Sequence, residues 1–263
     1  SMDEMFMRAG LASRCHFVLD NPDAVARFVP LAREAAAGGA TPGAVMLRMN
    51  AGALAGEHAR ALWHDHFGMT PNEAHDAVRT LAAAGLPAAG LHVFSGPHSF
   101  IRQDATQPDT LVLPERLAAL ARDLAPANGA PLSALSLGGG FADDHPGDAA
   151  FECYAAALAP LAGDYTLAHE AGRAIFADAG VFATRVVAVK PWQDRTIAVC
   201  DGGLSHAFLL AQTESVMRRL AAPSLVRRGA APPSRGVPTL YVGSTCSRAD
   251  VIGRDDTGAP PQV

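Results

Sequence analysis

Leu135-Ser136-Leu137-Gly138-Gly139-Gly140-Phe141 is the stretch that decides the fold. A short apolar run stops at three glycines, so a buried strand gives way to a turn without side chains. Glycine lets backbone amides approach an anion, and successive free N–H groups make a nest for phosphate. The plain alternative is a tight strand-to-helix turn with no ligand.

Working outward, comparable runs occur at Cys15–Leu19, Ala44–Asn50, Gly90–Ser95 and Tyr165–His169, each bounded by Gly, Pro, Asp or Asn. With Ala134–Leu137 they make five buried strands. Helices lie between them. Asn21-Pro22 offers an N-cap with proline at the first helical position. Thr70-Pro71-Asn72-Glu73 is a capping box, and Pro114–Ala125 and Asp148–Leu161 read as two further helices. The first four strands start roughly 30 to 45 residues apart, the size of a βα unit. The expected fold is therefore α/β: a partial (β/α)8 barrel over 1–180 with about five of its eight strands.

The rhythm changes after Gly180. Val181–Lys190 and Arg195–Asp201 read as antiparallel strands joined around Pro191-Trp192-Gln193-Asp194, with Val237–Thr245 as a third strand. These make a small appended antiparallel β region, a partial C-terminal domain over 181–263. Arg227–Gly236 reads as a loop and Gly258–Val263 as a disordered tail.

Composition narrows the function. Apolar residues are 49% of 263, but alanine dominates and aromatics are 6%, which favours helices on a scaffold. Net charge is −5 with no basic run, which argues against nucleic-acid binding. No apolar run reaches the roughly 18 residues of a membrane span. Ser1-Met2 reads as a cloning remnant, and the acidic start lacks a signal-peptide core. Cys15, Cys153, Cys200 and Cys246 are too far apart for a metal pattern, so free thiols in a cytoplasmic protein are expected. His64 and His66 flank Asp65, with no third ligand at a recognisable spacing; no metal is expected. Of 21 basic residues, Lys190 is the only lysine.

Two more segments carry chemistry. In His169-Glu170-Ala171-Gly172-Arg173, Arg173 can neutralise a phosphate. Glu170 can accept a hydrogen bond from a protonated ring nitrogen, which makes a pyridine a better electron sink. The alternative is a surface Glu–Arg pair. In Gly90-Leu91-His92-Val93-Phe94-Ser95-Gly96-Pro97-His98, Phe94 can stack on a flat ring and Ser95 can donate to phosphate, or Phe94 is ordinary core.

In this order, and with Arg48-Met49-Asn50, His66-Phe67-Gly68-Met69, Asp201-Gly202-Gly203 and Cys246-Ser247-Arg248-Ala249-Asp250, these segments resemble the pyridoxal-phosphate-dependent ornithine, diaminopimelate and arginine decarboxylases of the alanine-racemase-like barrel type, fold type III. The resemblance runs from Phe17 to Asp250 and matches the later part of that family. It implies pyridoxal 5'-phosphate as cofactor, bound by Gly138, Gly139, Gly140, Gly172, Arg173, Phe94, Ser95 and Gly96, with Glu170 facing the ring nitrogen. It implies Cys246 as the catalytic proton donor, reaching a partner subunit's active site, and His98, Ser247 and Asp250 near the substrate.

Departures from the family pattern shape the rest. Phe94 stands where histidine often stacks, Pro97 where a serine contacts phosphate, and Ser247 where an acidic residue binds a distal amine. The last argues against ornithine, lysine or arginine and favours a non-basic or carrier-linked amino acid. The family's cofactor lysine lies on the first barrel strand, before the region matched here, and Lys190 is expected to be a solvated strand-end residue. These residues alone are therefore expected to be inactive, and a homodimer or complementing chain is the expected partner. The alternatives are a non-catalytic split or degenerate homologue that binds a phosphate ligand or partner subunit, and a racemase or epimerase on the same barrel. The decarboxylase-like Cys246–Asp250 stretch weighs against the racemase.

Overall fold

A computed structural model describes residues 3–56, 66–94, 108–141, 148–176, 179–208, 223–224 and 237–256. The chain forms two compact units, Ser1–Ala179 and Gly180–Val263.

The first unit is a parallel sheet covered by helices. Its strands are β1 (Phe17–Leu19), β2 (Val45–Met49), β3 (Gly90–Val93), β4 (Ala134–Ser136) and β5 (Thr166–Ala168), in spatial order β1-β2-β3-β4-β5. All four pairings are parallel. The helices are α1 (Glu4–Ala12), α2 (Pro22–Ala37), α3 (Ala51–Ala55), α4 (Pro71–Ala83), α5 (Pro108–Asn128), α6 (Asp148–Leu158) and α7 (Gly172–Phe176).

The caps form as the sequence directs. Asn21 Oδ1 accepts from the Ala24 amide at 2.8 Å. Thr70 and Glu73 close their box, with the Thr70 amide donating to Glu73 Oε2 at 2.8 Å, and this bond holds the Glu73 carboxyl below its ordinary pKa. Helix α5 outruns the expected Pro114–Ala125 at both ends because it continues through Pro114 and Pro126, residues that normally punctuate helices. Helix α1 was not anticipated. Asp3 caps it, and Met7 and Leu11 anchor it in the core.

The sheet register sorts two rows of side chains. Leu19, Leu47, Leu91 and Leu135 pair in sequence across the first four strands and are fully buried. One residue further on, Arg48 pairs with His92, His92 with Ser136, and Ser136 with Ala168. Successive side chains on a strand point to opposite faces, so the leucines face the core and the polar row lies on the other side. Asn128 ties α5 to the approach to β3, accepting from the Ala88 amide at 2.8 Å and donating to the Ala88 and Ala130 carbonyls.

The second unit is a four-stranded sheet of β6 (Val186–Trp192), β7 (Arg195–Cys200), β8 (Thr239–Val242) and β9 (Val251–Asp255), in that spatial order. The sheet is mixed, which corrects the wholly antiparallel expectation. Pairs β6/β7 and β8/β9 are antiparallel, while β7/β8 is parallel. Strand β6 starts five residues later than expected, because Asp201 holds the preceding segment by accepting from Thr184 Oγ1 and the Arg185 amide, both at 2.8 Å. Strand β9 had no counterpart in the sequence reading. The Arg227–Gly236 loop and the tail lie outside the described residues. Among the described residues, no helix is long and apolar enough to cross a membrane.

Candidate active site

The polar row lies at the C-terminal ends of β2, β3 and β4, and two carboxylates join it from the strand ends on either side. Asp20 follows β1 and Glu170 follows β5. A pocket of about 290 Å³ is lined by Val18, Asp20, Arg48, His92, Phe94 and Glu170. This is the end of a parallel sheet where loops, free of ladder bonds, can present ligand-binding groups.

Glu170 is fixed first through its backbone, whose amide donates to the Gly138 carbonyl at 2.9 Å. Its carboxylate stays 60% exposed. Oxygen Oε1 lies 3.3 Å from His92 Nε2 and accepts from Ser136 Oγ at 3.4 Å. His92 itself is buried, and among the described residues its Nδ1 has no partner. Burial pushes the imidazole pKa down, Arg48 adds to that, and Glu170 and Asp20 oppose it without reversing it. His92 is therefore neutral near pH 7.

Across the pocket, Arg48 lies 3.6 Å from Asp20 and stacks its guanidinium over the Phe67 ring at 4.4 Å. Asp20 also accepts from the Gly68 amide at 3.2 Å. The Phe67–Met69 segment runs beside β2. The Met69 amide donates to the Arg48 carbonyl at 2.8 Å and the Asn50 amide to the Met69 carbonyl at 2.9 Å. Two segments distant in sequence, Arg48–Asn50 and His66–Met69, thus meet at one rim.

The glycine turn is wedged between strand ends. Gly138 has φ 65° and Gly140 has φ 102°. A Cβ at Gly138 would sit 2.7 Å from the Val93 carbonyl oxygen, and one at Gly139 would sit 2.6 Å from that of Glu170. Packing alone therefore demands glycine at both positions. Phe141 and Tyr154 pack against the His169 ring, with centroids 5.3 and 5.6 Å away.

A family profile described as "Pyridoxal-dependent decarboxylase, C-terminal sheet domain" matches residues 16–262. The chain belongs to the pyridoxal-dependent decarboxylase family. It is 31% identical over 206 residues to a diaminopimelate decarboxylase of Actinosynnema pretiosum subsp. auranticum, covering 72% of this chain and 42% of that protein. The lysine/ornithine decarboxylase of Vibrio vulnificus, solved with cadaverine, matches with TM-score 0.70 and 19% identity over 97% of this chain and 63% of that one. The arginine decarboxylase of Paramecium bursaria Chlorella virus, solved with agmatine, matches with TM-score 0.72 and 15% identity over 98% of this chain and 66% of that one. At such identities the solved structures establish the fold, that of a decarboxylase barrel with its sheet domain. The chain spans under half of the curated relative and about two thirds of the solved ones.

Pyridoxal phosphate is this family's cofactor, and the pocket suits it. The half-open Glu170 carboxylate can accept a hydrogen bond from a protonated ring nitrogen, and Phe94 offers a flat wall. Gly172 and Arg173 follow Glu170 on α7, and the Gly172 amide donates to the Glu170 carbonyl at 2.9 Å. The Arg173 side chain and residues Ser95, Gly96, Pro97 and His98 lie outside the described residues, as do His64 and Asp65. Among the described residues, no group of three His, Cys, Asp or Glu is placed to hold a metal.

In the second unit, Cys246 and Ser247 are exposed on the loop between β8 and β9. Ser247 Oγ accepts from the Ala249 amide at 3.2 Å. Asp250, expected near the substrate, is committed to donors of its own unit. It is 2% exposed, and its oxygens tie its own loop to the segment that follows β7. Oδ1 accepts from the Leu204 amide at 2.7 Å, and Oδ2 accepts from the Thr245 amide at 3.0 Å and Thr245 Oγ1 at 2.6 Å. Burial alone would raise its pKa, but hydrogen bonds from Thr245, Leu204 and Gly243 outweigh that and hold it below the usual carboxylate value. Asp201 is likewise spent on the Thr184–Arg185 backbone. Lys190 is exposed inside β6, opposite Ile197, rather than at the strand's boundary.

Asp20, His92 and Ser136 received no role from the sequence. The signal was present: each is a polar residue within or just after an otherwise apolar strand, at the phase opposite the leucines.

Proposed function

We propose that this protein acts as a pyridoxal-phosphate-dependent decarboxylase on an α-amino acid without a distal amine, free or carrier-linked. The observation that carries this reading is the Glu170 carboxylate, tethered to the glycine turn and opening on a pocket walled by Phe94. When bound, the cofactor supplies an electron sink for the pair left behind by departing carbon dioxide. Glu170 accepts a hydrogen bond at the ring nitrogen and keeps it protonated. The amides of Gly138, Gly139 and Gly140, with the Arg173 charge, take the phosphate. By the family resemblance, Ser95, Gly96 and Gly172 serve the phosphate and His98 the substrate. The Cys246 thiol returns a proton to the carbon, serving the site of a second copy in a homodimer. Ser247 carries no charge to meet a distal ammonium.

Lys190, the only lysine of the 263 residues, is solvent-exposed in the second unit, so these residues by themselves make no covalent link to the cofactor. The test has two arms. The chain alone is incubated with pyridoxal phosphate, reduced with borohydride and mapped by mass spectrometry; no stoichiometric pyridoxyl adduct is expected on Lys190. The chain complemented with a lysine-bearing barrel segment is then assayed for carbon dioxide release from acidic, neutral and basic amino acids, free and carrier-linked. Release from a non-basic substrate is expected, and efficient turnover of ornithine or lysine would overturn the substrate assignment.

A further inference from the structure

We infer that His169 is a positioning residue for the three-glycine turn: its ring holds the Phe141 end of the turn while the Glu170 amide holds the Gly138 end. The inference rests on the phosphate-binding role proposed for Gly138, Gly139 and Gly140, and adds how so free a stretch of chain is kept in one shape. Glycine has the widest backbone freedom of any residue, so ordering three in a row carries a large entropic cost. Gly138 and Gly140 both adopt positive φ, 65° and 102°. Backbone amides bind an anion well only when that arrangement is set before the anion arrives.

Three consecutive residues at the end of β5 fasten the turn. The Ala168 carbonyl accepts from the Leu137 amide at 2.9 Å, and the Glu170 amide donates to the Gly138 carbonyl at 2.9 Å. Both bonds secure the start of the turn. Its other end is Phe141, and His169 makes the contact there. The two ring centroids are 5.3 Å apart with planes at 79°, an edge-to-face pair. The same imidazole packs on Tyr154 of α6, with centroids 5.6 Å apart and planes at 59°. Tyr154 is buried and belongs to the core of the first unit, so the imidazole links the turn to a close-packed interior. Partial burial lowers the His169 pKa, against the Gly138 carbonyl, which raises it. The ring is therefore neutral near pH 7, and it packs among aromatic rings without a charge to desolvate.

The test compares affinities of the chain for pyridoxine 5'-phosphate and for pyridoxine, which differ only in the phosphate group. The native chain should prefer the phosphate ester by about a hundredfold, the size of two charge-assisted hydrogen bonds. His169→Ala should make that preference about tenfold smaller, the loss of one such bond, with affinity for pyridoxine unchanged. His169→Phe keeps an aromatic ring between Phe141 and Tyr154 and should restore the preference. Equal loss for both ligands in His169→Ala would mean a merely structural role and would overturn the inference. An unchanged preference in that variant, or no recovery in His169→Phe, would overturn it as well. A native chain with no preference for the phosphate ester would instead overturn the reading of the glycine turn on which the inference rests. A second measurement needs no variant. In nuclear Overhauser spectra of the native chain, the His169 ring protons should contact both the Phe141 and Tyr154 rings, with and without pyridoxine 5'-phosphate. Loss of the Phe141 contact on binding would refute the inference independently.

Discussion

Glu170 and Asp250 are the same functional group in two opposite situations. Glu170 sits at the end of a parallel sheet, mostly exposed, with two donors beyond 3.2 Å on one oxygen. Asp250 sits beneath the β8–β9 loop, buried, with donors at 2.6 to 3.0 Å on both oxygens. A saturated carboxylate stabilises the chain that surrounds it and has nothing left for a ligand. A half-satisfied one at a pocket is available for chemistry. In this molecule burial and saturation, rather than residue type or motif, separate the carboxylate spent on structure from the one left open at the pocket.

The sharpest way to break that contrast is to remove the saturated group. Asp250→Ala should destabilise the second unit by about 3 kcal/mol, since three bonds are lost and three donors are left unpaired. Urea unfolding should register this, with the loop carrying Cys246 losing protection in hydrogen exchange. The pH dependence follows from the lowered pKa. The unfolded chain binds a proton near pH 4 and the folded chain only below that. The contribution of Asp250 is therefore fully present above the unfolded value and is lost as pH falls through the folded one. Asp250→Asn should remove that part of the acid sensitivity.

Asn128→Ala probes the same rule in the first unit, where a buried amide makes three bonds. It should cost about 2 kcal/mol by thermal or urea unfolding, because the Ala88 amide and carbonyl are left without a partner. Glu170→Gln is the counterpart at the pocket. It should leave the melting temperature nearly unchanged while lowering pyridoxal phosphate affinity about tenfold by equilibrium dialysis. A large loss of stability there would erase the distinction between the two carboxylates. The smallest effect is expected at Ser247. In the complemented enzyme, Ser247→Asp should lower KM for diamine-forming substrates by a few fold, the size of an exposed ion pair.

The five parallel strands were legible because each is a short apolar run closed by Gly, Pro, Asp or Asn, and the helices between them carry explicit caps. The mixed sheet was less so. The hairpin of β6 and β7 announces itself through its tight turn, but the long segment between β7 and β8 permits a crossover, and crossovers make parallel pairs. Strand β9 was hidden by Gly253 and the charges of Arg254 and Asp255, residues poor in strand propensity. At the site, Glu170 and the glycine turn were legible as motifs. His92 and Ser136 were not, because their partner stands far off in sequence and only the register brings them to it. The saturation of Asp250 was not legible either, because a motif records that a carboxylate is present and says nothing of how many donors surround it.

The most direct test of this account is a crystal structure of the chain with pyridoxal phosphate. The phosphate should lie against the Gly138–Gly140 amides, with the ring nitrogen within hydrogen-bond distance of the Glu170 carboxylate. A phosphate bound away from the glycine turn, or a ring nitrogen facing any group other than Glu170, would contradict it.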